Sequence, residues 1–365
     1  MTSVRSSISN RVAAHGGNTT AARRQFALDG PPIIDFSASI NPLSMPESVR
    51  RVLNDASSHC AAYPEPRSRT LVGALAKLHG AALQNIVVGN GSNELIYLIP
   101  RAVRARRGVV LEPAFSEYSR ACRAARLRTC RVVSPAADFN MMPVHVAPHS
   151  LVWLGHPNNP TGRGWERDEL MAWIDSQPYA TFVIDEAFMP FCDDEPVQTL
   201  GGHAASRTNL IVLRSLTKIL AIPGLRLGYL VASAELAGRI RRQQPTWSVN
   251  ALAQAAGLAA LGDLAFIDRT REFVGRARDE LFGRLRAIPS IEPFPSEANF
   301  LLVRIGRPDR SSAWLREQLA RRGFLIRDAS NFRGLNSSYF RVAVLDPATN
   351  RRLANAIAQA LERDE

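Results

Sequence analysis

Between Asn85 and Ser233 the chain alternates short apolar runs with longer stretches of helical period. The runs NIVVGNG (Asn85–Gly91), GVVLEP (Gly108–Pro113), SLVWLGHP (Ser150–Pro157), TFVIDEA (Thr181–Ala187), NLIVLRS (Asn209–Ser215) and LGYLVAS (Leu227–Ser233) are β-branched and close on polar or turn residues. Runs of this kind predict buried strands. Between them, Arg69–His79, Asn93–Val103 and Arg167–Ser176 carry helical spacing. Strands alternating with helices predict an α/β fold, a mainly parallel sheet covered by helices on both faces. Ligands of such sheets collect beyond the carboxyl ends of the strands. The polar residues of interest sit at those ends.

The last third is patterned differently. Ala251–Arg286 predicts one long helix, with alanine and leucine throughout and few breakers. ANFLLVRI (Ala298–Ile305), a helix over Ser312–Arg322, GFLIRD (Gly323–Asp328), YFRVAV (Tyr339–Val344) and a final helix then make a small α/β unit. The residues up to Asn41 carry little regular pattern and are expected to pack on that unit. The expected division is an N-terminal segment (1–44), a large domain (45–255) and a small C-terminal domain (256–365).

Composition narrows the class. A chain of 365 residues, 46% hydrophobic and 21% charged, suits a folded protein with a sizeable core. The net charge of +12 raises the question of a polyanionic partner. Its arginines are scattered, however, and no basic arm, zinc-ligand set or helix-turn-helix pattern accompanies them. They read as an arginine-rich surface, and no nucleic-acid partner is expected. Cys60, Cys122, Cys130 and Cys192 form no C-x-x-C pair and no disulfide frame, and no metal site is expected. The opening MTSVRSSISNRVAAHGG lacks the apolar stretch of a secretory leader. No apolar run approaches the ~20 residues of a membrane span. A cytoplasmic protein that keeps away from membranes is the expectation.

Candidate chemistry lies at the strand ends. GNGSNE (Gly89–Glu94) joins a strand to a helix, where free N–H groups suit a phosphate; a plain turn is the alternative. HPNNPTG (His156–Gly162) crowds amides and prolines after a buried strand. Asp185 ends another, where it either caps a helix or pairs with a buried cation. The sharpest signal is RSLTKILAIPGLRLG (Arg214–Gly228). Of 45 lysines and arginines, only Lys77 and Lys218 are lysines. Elsewhere arginine supplies the charge, but a guanidinium stays protonated and cannot form a Schiff base. Lys218, flanked by Ser215 and Arg226, therefore suits a phosphorylated carbonyl cofactor: the amine condenses with the carbonyl, while hydroxyl and guanidinium hold the phosphate.

Taken in order, GNGSNE, HPNNPTG, VIDEAF and SLTKILAIPGLRLG resemble the pyridoxal-phosphate-dependent aminotransferases of fold type I, and the resemblance spans essentially the whole chain. It implies a large domain with a mainly parallel seven-stranded sheet between helices, and a small α/β C-terminal domain. It implies pyridoxal 5'-phosphate as cofactor, with Lys218 as the Schiff-base lysine and later the proton carrier at the substrate Cα. Asp185 would pair with the pyridine nitrogen and keep it protonated. Asn159 would hydrogen-bond the phenolic oxygen, and Ser92, Asn93, Ser215 and Arg226 would cradle the phosphate. Phe115 would stack on one face of the ring, with Ala187 on the other. Tyr63, in YPEPR, would reach the cofactor of a neighbouring subunit, implying a homodimer with shared sites. Arg341, in YFRVAV, would meet the substrate carboxylate. Phe188 departs from the pattern: many relatives carry there a tyrosine that donates to the phenolic oxygen, so Asn159 would serve alone.

Three further stretches, HGGN (His15–Asn18), DFSASINPL (Asp35–Leu43) and IRDASNFRGL (Ile326–Leu335), resemble the L-threonine-O-3-phosphate decarboxylases. Those enzymes are near relatives of the histidinol-phosphate aminotransferases. The resemblance implies a phosphorylated amino-acid substrate held by His15, Gly16, Gly17, Asn159, Arg327 and Arg341. The implied reaction is decarboxylation to (R)-1-aminopropan-2-yl phosphate in cobalamin biosynthesis. Transamination of histidinol phosphate, and decarboxylation of another phospho-amino acid such as phosphoserine, stay open. For HGGN the plain alternative is a mobile N-terminal turn. A regulator sensing the cofactor or binding DNA would need an appended domain, for which the chain has no room.

Overall fold

A computed structural model describes residues 15–28, 30–135 and 138–362. Residues 1–14, on which most of the leader reading rests, lie outside them. Seven strands form the main sheet, in the order Ile86–Asn90, Leu227–Ala232, Leu210–Ser215, Thr181–Asp185, Ser150–Gly155, Arg107–Glu112 and Arg128–Val133. Leu227–Ala232 runs antiparallel to both its neighbours, and the other pairings are parallel. Val110, Trp153, Val183 and Leu213 belong to one apolar cluster, and Val109, Val152, Ile184 and Val212 to another. Sequence neighbours thus feed opposite faces, both buried, which is why six of the strands read as continuous apolar runs. The seventh, Arg128–Val133, is an edge strand with partly exposed residues and two arginines, so its sequence carries no such run.

The register brings the strand ends level. Gly155 lies opposite Asp185, Asp185 opposite Leu213, and Gly228 opposite both Ser215 and Gly89. At the acidic pair in VIDEAF, alternation sends the two carboxylates opposite ways. Asp185 lines the cleft above the sheet. Glu186 is fully buried and accepts from Arg214 Nη1 (2.7 Å), Thr199 Oγ1 (2.6 Å) and the Leu200 N–H (2.7 Å). Arg214 also donates to Glu195 at 2.6 Å. Deleting one member of this buried set would strand the other charge, at about 3–5 kcal/mol.

The C-terminal part holds a four-stranded antiparallel sheet ordered Arg327–Asp328, Tyr339–Ala343, Phe300–Ile305 and Ile291–Pro293. GFLIRD is split between two sheets. Phe324–Leu325 pairs in parallel with Ile34–Asp35, while Arg327–Asp328 pairs with Tyr339–Ala343 and sets Arg327 directly across from Arg341. The helix expected over Ala251–Arg286 is also two: Ala251–Leu261 and Leu264–Arg286, bent by 80°. Gly262 and Asp263, both weak helix formers, occupy the break. The bend lets the first helix pack on Glu47–Asn54 and the second on Pro347–Glu362. Among the described residues, no single helix is long and apolar enough to cross a membrane.

Candidate active site

The strand ends, the N-terminal segment and the small sheet enclose a cleft of about 980 Å³. Every expected site residue but one lines it: His15, Gly16, Gly17, Ser92, Asn93, Phe115, Asn159, Asp185, Ala187, Ser215, Lys218, Arg226, Arg327 and Arg341. The exception is Tyr63. It is 82% exposed, its ring lies 5.1 Å from that of Trp247 and tilted 31° to it, and it stands outside the cleft.

Lys218 follows the strand that ends at Ser215, on the short helix Leu216–Ile219. Its Nζ lies 3.4 Å from Ser215 Oγ and 4.9 Å from the centre of the Phe188 ring. Burial pulls its pKa down to about 8; Asp185 opposes the fall, and Arg226 and Arg341 add to it. Asp185 accepts from Tyr118 Oη at 2.7 Å and from the Ala187 N–H at 3.0 Å. Burial pushes the Asp185 pKa up, while the Lys218 charge and both hydrogen bonds pull against the rise. A carboxylate so placed suits a cationic ring nitrogen.

The part of the cleft expected to cradle a phosphate depends on glycine. Helix Gly91–Ala102 starts directly after the strand Ile86–Asn90, two residues earlier than its pattern predicts, so Ser92 and Asn93 fall in its first turn. Gly91 has φ +73°, and a Cβ there would meet Arg226 Nη2 at 2.6 Å. A Cβ on Gly228 would run into the Ser92 backbone nitrogen. With both side chains absent, the N–H groups of a helix start, the Ser215 and Thr217 hydroxyls and the Arg226 guanidinium share one end of the cleft. Arg226 itself holds φ at +61°, a strained value for a residue with a Cβ. These residues fit a flat, phosphorylated pyridine aldehyde: a fixed carboxylate for the nitrogen, an amine for the carbonyl, and a cradle that larger residues would fill. Uptake of pyridoxal phosphate by the cofactor-free protein should accelerate about tenfold per pH unit up to pH ~8 and then level off, as the neutral amine fills in. Stopped-flow absorbance checks this, and a rate still climbing tenfold per unit above pH ~9 would return Lys218 to the ordinary lysine range.

At the other end, Arg341 is buried and donates through Nη1 to Asn159 Oδ1 and through Nη2 to the Ser37 carbonyl at 3.2 Å. Its Nε has no hydrogen-bond partner among the described residues. Burial and the neighbouring Arg327 charge pull its pKa down to about 9 against the pull of Asp35, and it stays cationic at neutral pH. With its oxygen taken by Arg341, Asn159 keeps its amide N–H groups for a ligand. Phe188 packs edge-on against Phe300, with ring centres 4.9 Å apart. Arg327 donates to Asn331 Oδ1 at 2.7 Å, and burial brings its pKa down to about 10. Like charges directly opposite on paired strands repel. Both arginines line the cleft, where an anionic ligand could reach them.

The HGGN stretch is pinned to this wall. His15 Nε2 lies 3.0 Å from Glu117 Oε1, and its ring is 5.6 Å from that of Phe115. A Cβ on Gly16 would run into the Ser37 carbonyl, and the Gly17 N–H donates to Ser37 Oγ at 2.8 Å. Glu117 also accepts from Tyr97 Oη (2.7 Å) and Arg120 Nη1 (2.8 Å). Burial pushes the Glu117 carboxyl up, but those partners outweigh it and leave it below the ordinary range. Glu117, Tyr118 and Thr217 belong to the site without having been singled out by any motif; their one sequence cue is closeness to Phe115 or Lys218.

Comparison with known proteins agrees with this arrangement. The family described as aminotransferase class I and II matches residues 31–357. The threonine-phosphate decarboxylase of Salmonella typhimurium is 37% identical over 359 residues, covering 96% of this chain and 97% of that protein. Histidinol-phosphate aminotransferase 2 of Archaeoglobus fulgidus is 32% identical over 332 residues, covering 90% and 93%. The crystal structure of L-threonine-O-3-phosphate decarboxylase from Porphyromonas gingivalis aligns with a TM-score of 0.81 at 32% identity, covering 91% of this chain and 100% of that one. The motifs, the seven-stranded sheet and these matches agree: the chain belongs to the class I and II aminotransferase family.

Proposed function

We propose that this protein uses pyridoxal 5'-phosphate to decarboxylate L-threonine O-3-phosphate, releasing CO2 and (R)-1-aminopropan-2-yl phosphate for cobalamin biosynthesis. The observation that carries the reading is the cross-strand pair Arg327 and Arg341, two buried cations in the cleft that holds Lys218. A phospho-amino acid brings two anionic groups to them, a carboxylate and a phosphate. The near full-length likeness to threonine-phosphate decarboxylases supports the same choice.

Bound in the cradle, the cofactor supplies a protonated pyridine that accepts the electron pair left on Cα when CO2 departs. Asp185, fixed by Tyr118 and Ala187, holds the proton at the ring nitrogen. Ser92, Asn93, Ser215 and Arg226 anchor the cofactor's phosphate, and Asn159 donates to its phenolic oxygen. Arg327 and Arg341, with His15 and the Gly16–Gly17 backbone, hold the substrate's two anionic groups. That grip would decide which Cα bond is presented for cleavage, the bond to the carboxylate for loss of CO2 or the bond to hydrogen for amine exchange. Lys218 then returns a proton to Cα. The Cα–carboxylate bond has broken, Cα has gained hydrogen, and no keto acid is consumed.

The same reading makes the protein a homodimer in which Tyr63 serves the neighbour's cofactor; its exposure beside Trp247, outside its own cleft, supports this. It divides the chain into residues 1–44, 45–255 and 256–365, and the pairing of Ile34–Asp35 with Phe324–Leu325 supports seating the first segment on the last. It places the protein in the cytoplasm, to which four free cysteines are suited. Protein loaded with cofactor and given phosphothreonine, phosphoserine and histidinol phosphate in turn should release CO2 from phosphothreonine with no keto acid present. Exchange that requires 2-oxoglutarate, without CO2, would decide for the aminotransferase.

A further inference from the structure

Tyr118 lies in the helix Ser116–Ala124, buried beneath the cleft floor. Its ring stacks on that of the fully buried Trp153, 5.2 Å away and 14° from parallel, and meets Phe115 edge-on at 5.7 Å. Its hydroxyl donates to Asp185 Oδ2 at 2.7 Å, while the Ala187 N–H holds Oδ1. Burial, the Asp185 charge and this hydrogen bond push the phenol far above its ordinary pKa, so it keeps its proton and stays a donor.

We propose that Tyr118 is a positioning residue: its hydroxyl, locked by the Trp153 stack, holds the Asp185 carboxylate in one plane and ionised against the ring nitrogen of the bound cofactor. The inference rests on the cofactor reading above. A carboxylate with a fixed donor on each oxygen cannot rotate freely, and it keeps lone pairs for a further partner. A phenol shares its proton without surrendering it, so the negative charge remains on Asp185 and the proton remains at the ring. In the cofactor-free protein the Lys218 charge also faces Asp185. That charge changes once the amine is committed to the cofactor, whereas the two hydrogen bonds persist.

The test is Tyr118→Phe, which removes one oxygen and keeps the stack. Loss of a hydrogen bond to a charged group predicts cofactor binding about tenfold weaker or more. The nitrogen-15 resonance of labelled pyridoxal phosphate should move toward the neutral-pyridine position, and kcat should fall with KM for phosphothreonine little changed. In an Asp185→Asn background the same substitution should have no effect on either cofactor readout. An unmoved resonance with wild-type affinity overturns the proposal, even if activity falls. So does an equal effect in the Asp185→Asn background, which would mark Tyr118 as packing alone. If the phenylalanine variant does not fold, Tyr118→Leu, which also lacks a donor, replaces it, and an unmoved resonance there is equally fatal. Wild-type protein that takes up no pyridoxal phosphate would instead sink the cofactor reading.

Discussion

Lys218→Arg is expected to lower kcat at least ~10³-fold while leaving the fold intact. The substitution keeps a cation opposite Asp185, so the buried carboxylate is not abandoned, as it would be in Lys218→Ala. What it removes is a primary amine with a pKa near 8, able to lose and regain a proton at neutral pH. A guanidinium can neither condense with the cofactor carbonyl nor return a proton to Cα. The cradle of Ser92, Ser215 and Arg226 stays in place, so the variant should still bind pyridoxal phosphate without a covalent link. Borohydride treatment followed by intact mass should add the cofactor to the wild type and not to the variant. Turnover within about tenfold of wild type would remove Lys218 from the chemistry.

Lys218 was legible because the chain almost never uses lysine: a surface made of arginine turns one buried amine into a signal. Asp185 was legible for a similar reason, since a carboxylate closing an apolar strand needs a partner. Six strands showed through because burial on both faces makes them apolar without interruption, and the exposed edge strand Arg128–Val133 lacked that pressure. Other features are tertiary by nature. Glu186 sits beside Asp185 in sequence, and only the alternation of the strand sends it away from the cleft to Arg214. Arg327 gained its meaning from sheet register, which splits GFLIRD and faces it against Arg341. Tyr118 and Glu117 needed the angle at which their helix meets the sheet. The break at Gly262 and Asp263 was written in weak helix formers, which local pattern alone did not separate from a tolerated glycine.

Arg341→Lys is expected to lower kcat/KM for phosphothreonine about a hundredfold, the scale of breaking a buried, hydrogen-bonded charge contact. The positive charge is nominally kept, but three features of the guanidinium are lost. Its Nη1 and Nη2 bind Asn159 and the Ser37 carbonyl at once, its Nε has no hydrogen-bond partner among the described residues, and its Cζ lies 4.7 Å from the Phe300 ring centre. One ammonium cannot hold both neighbours and still offer a two-pronged grip to an anion. Burial would also press harder on a lysine, whose ordinary pKa is lower, so the variant should weaken further as pH rises through the range where Arg341 remains charged. Threonine and phosphothreonine, compared on the two proteins, identify which anion Arg341 meets. If it holds the carboxylate, both substrates lose kcat/KM by a similar factor. If it holds the phosphate, threonine is nearly indifferent to the change. Loss of less than about twofold for both would detach Arg341 from the substrate, and the cross-strand arginine pair would need another explanation.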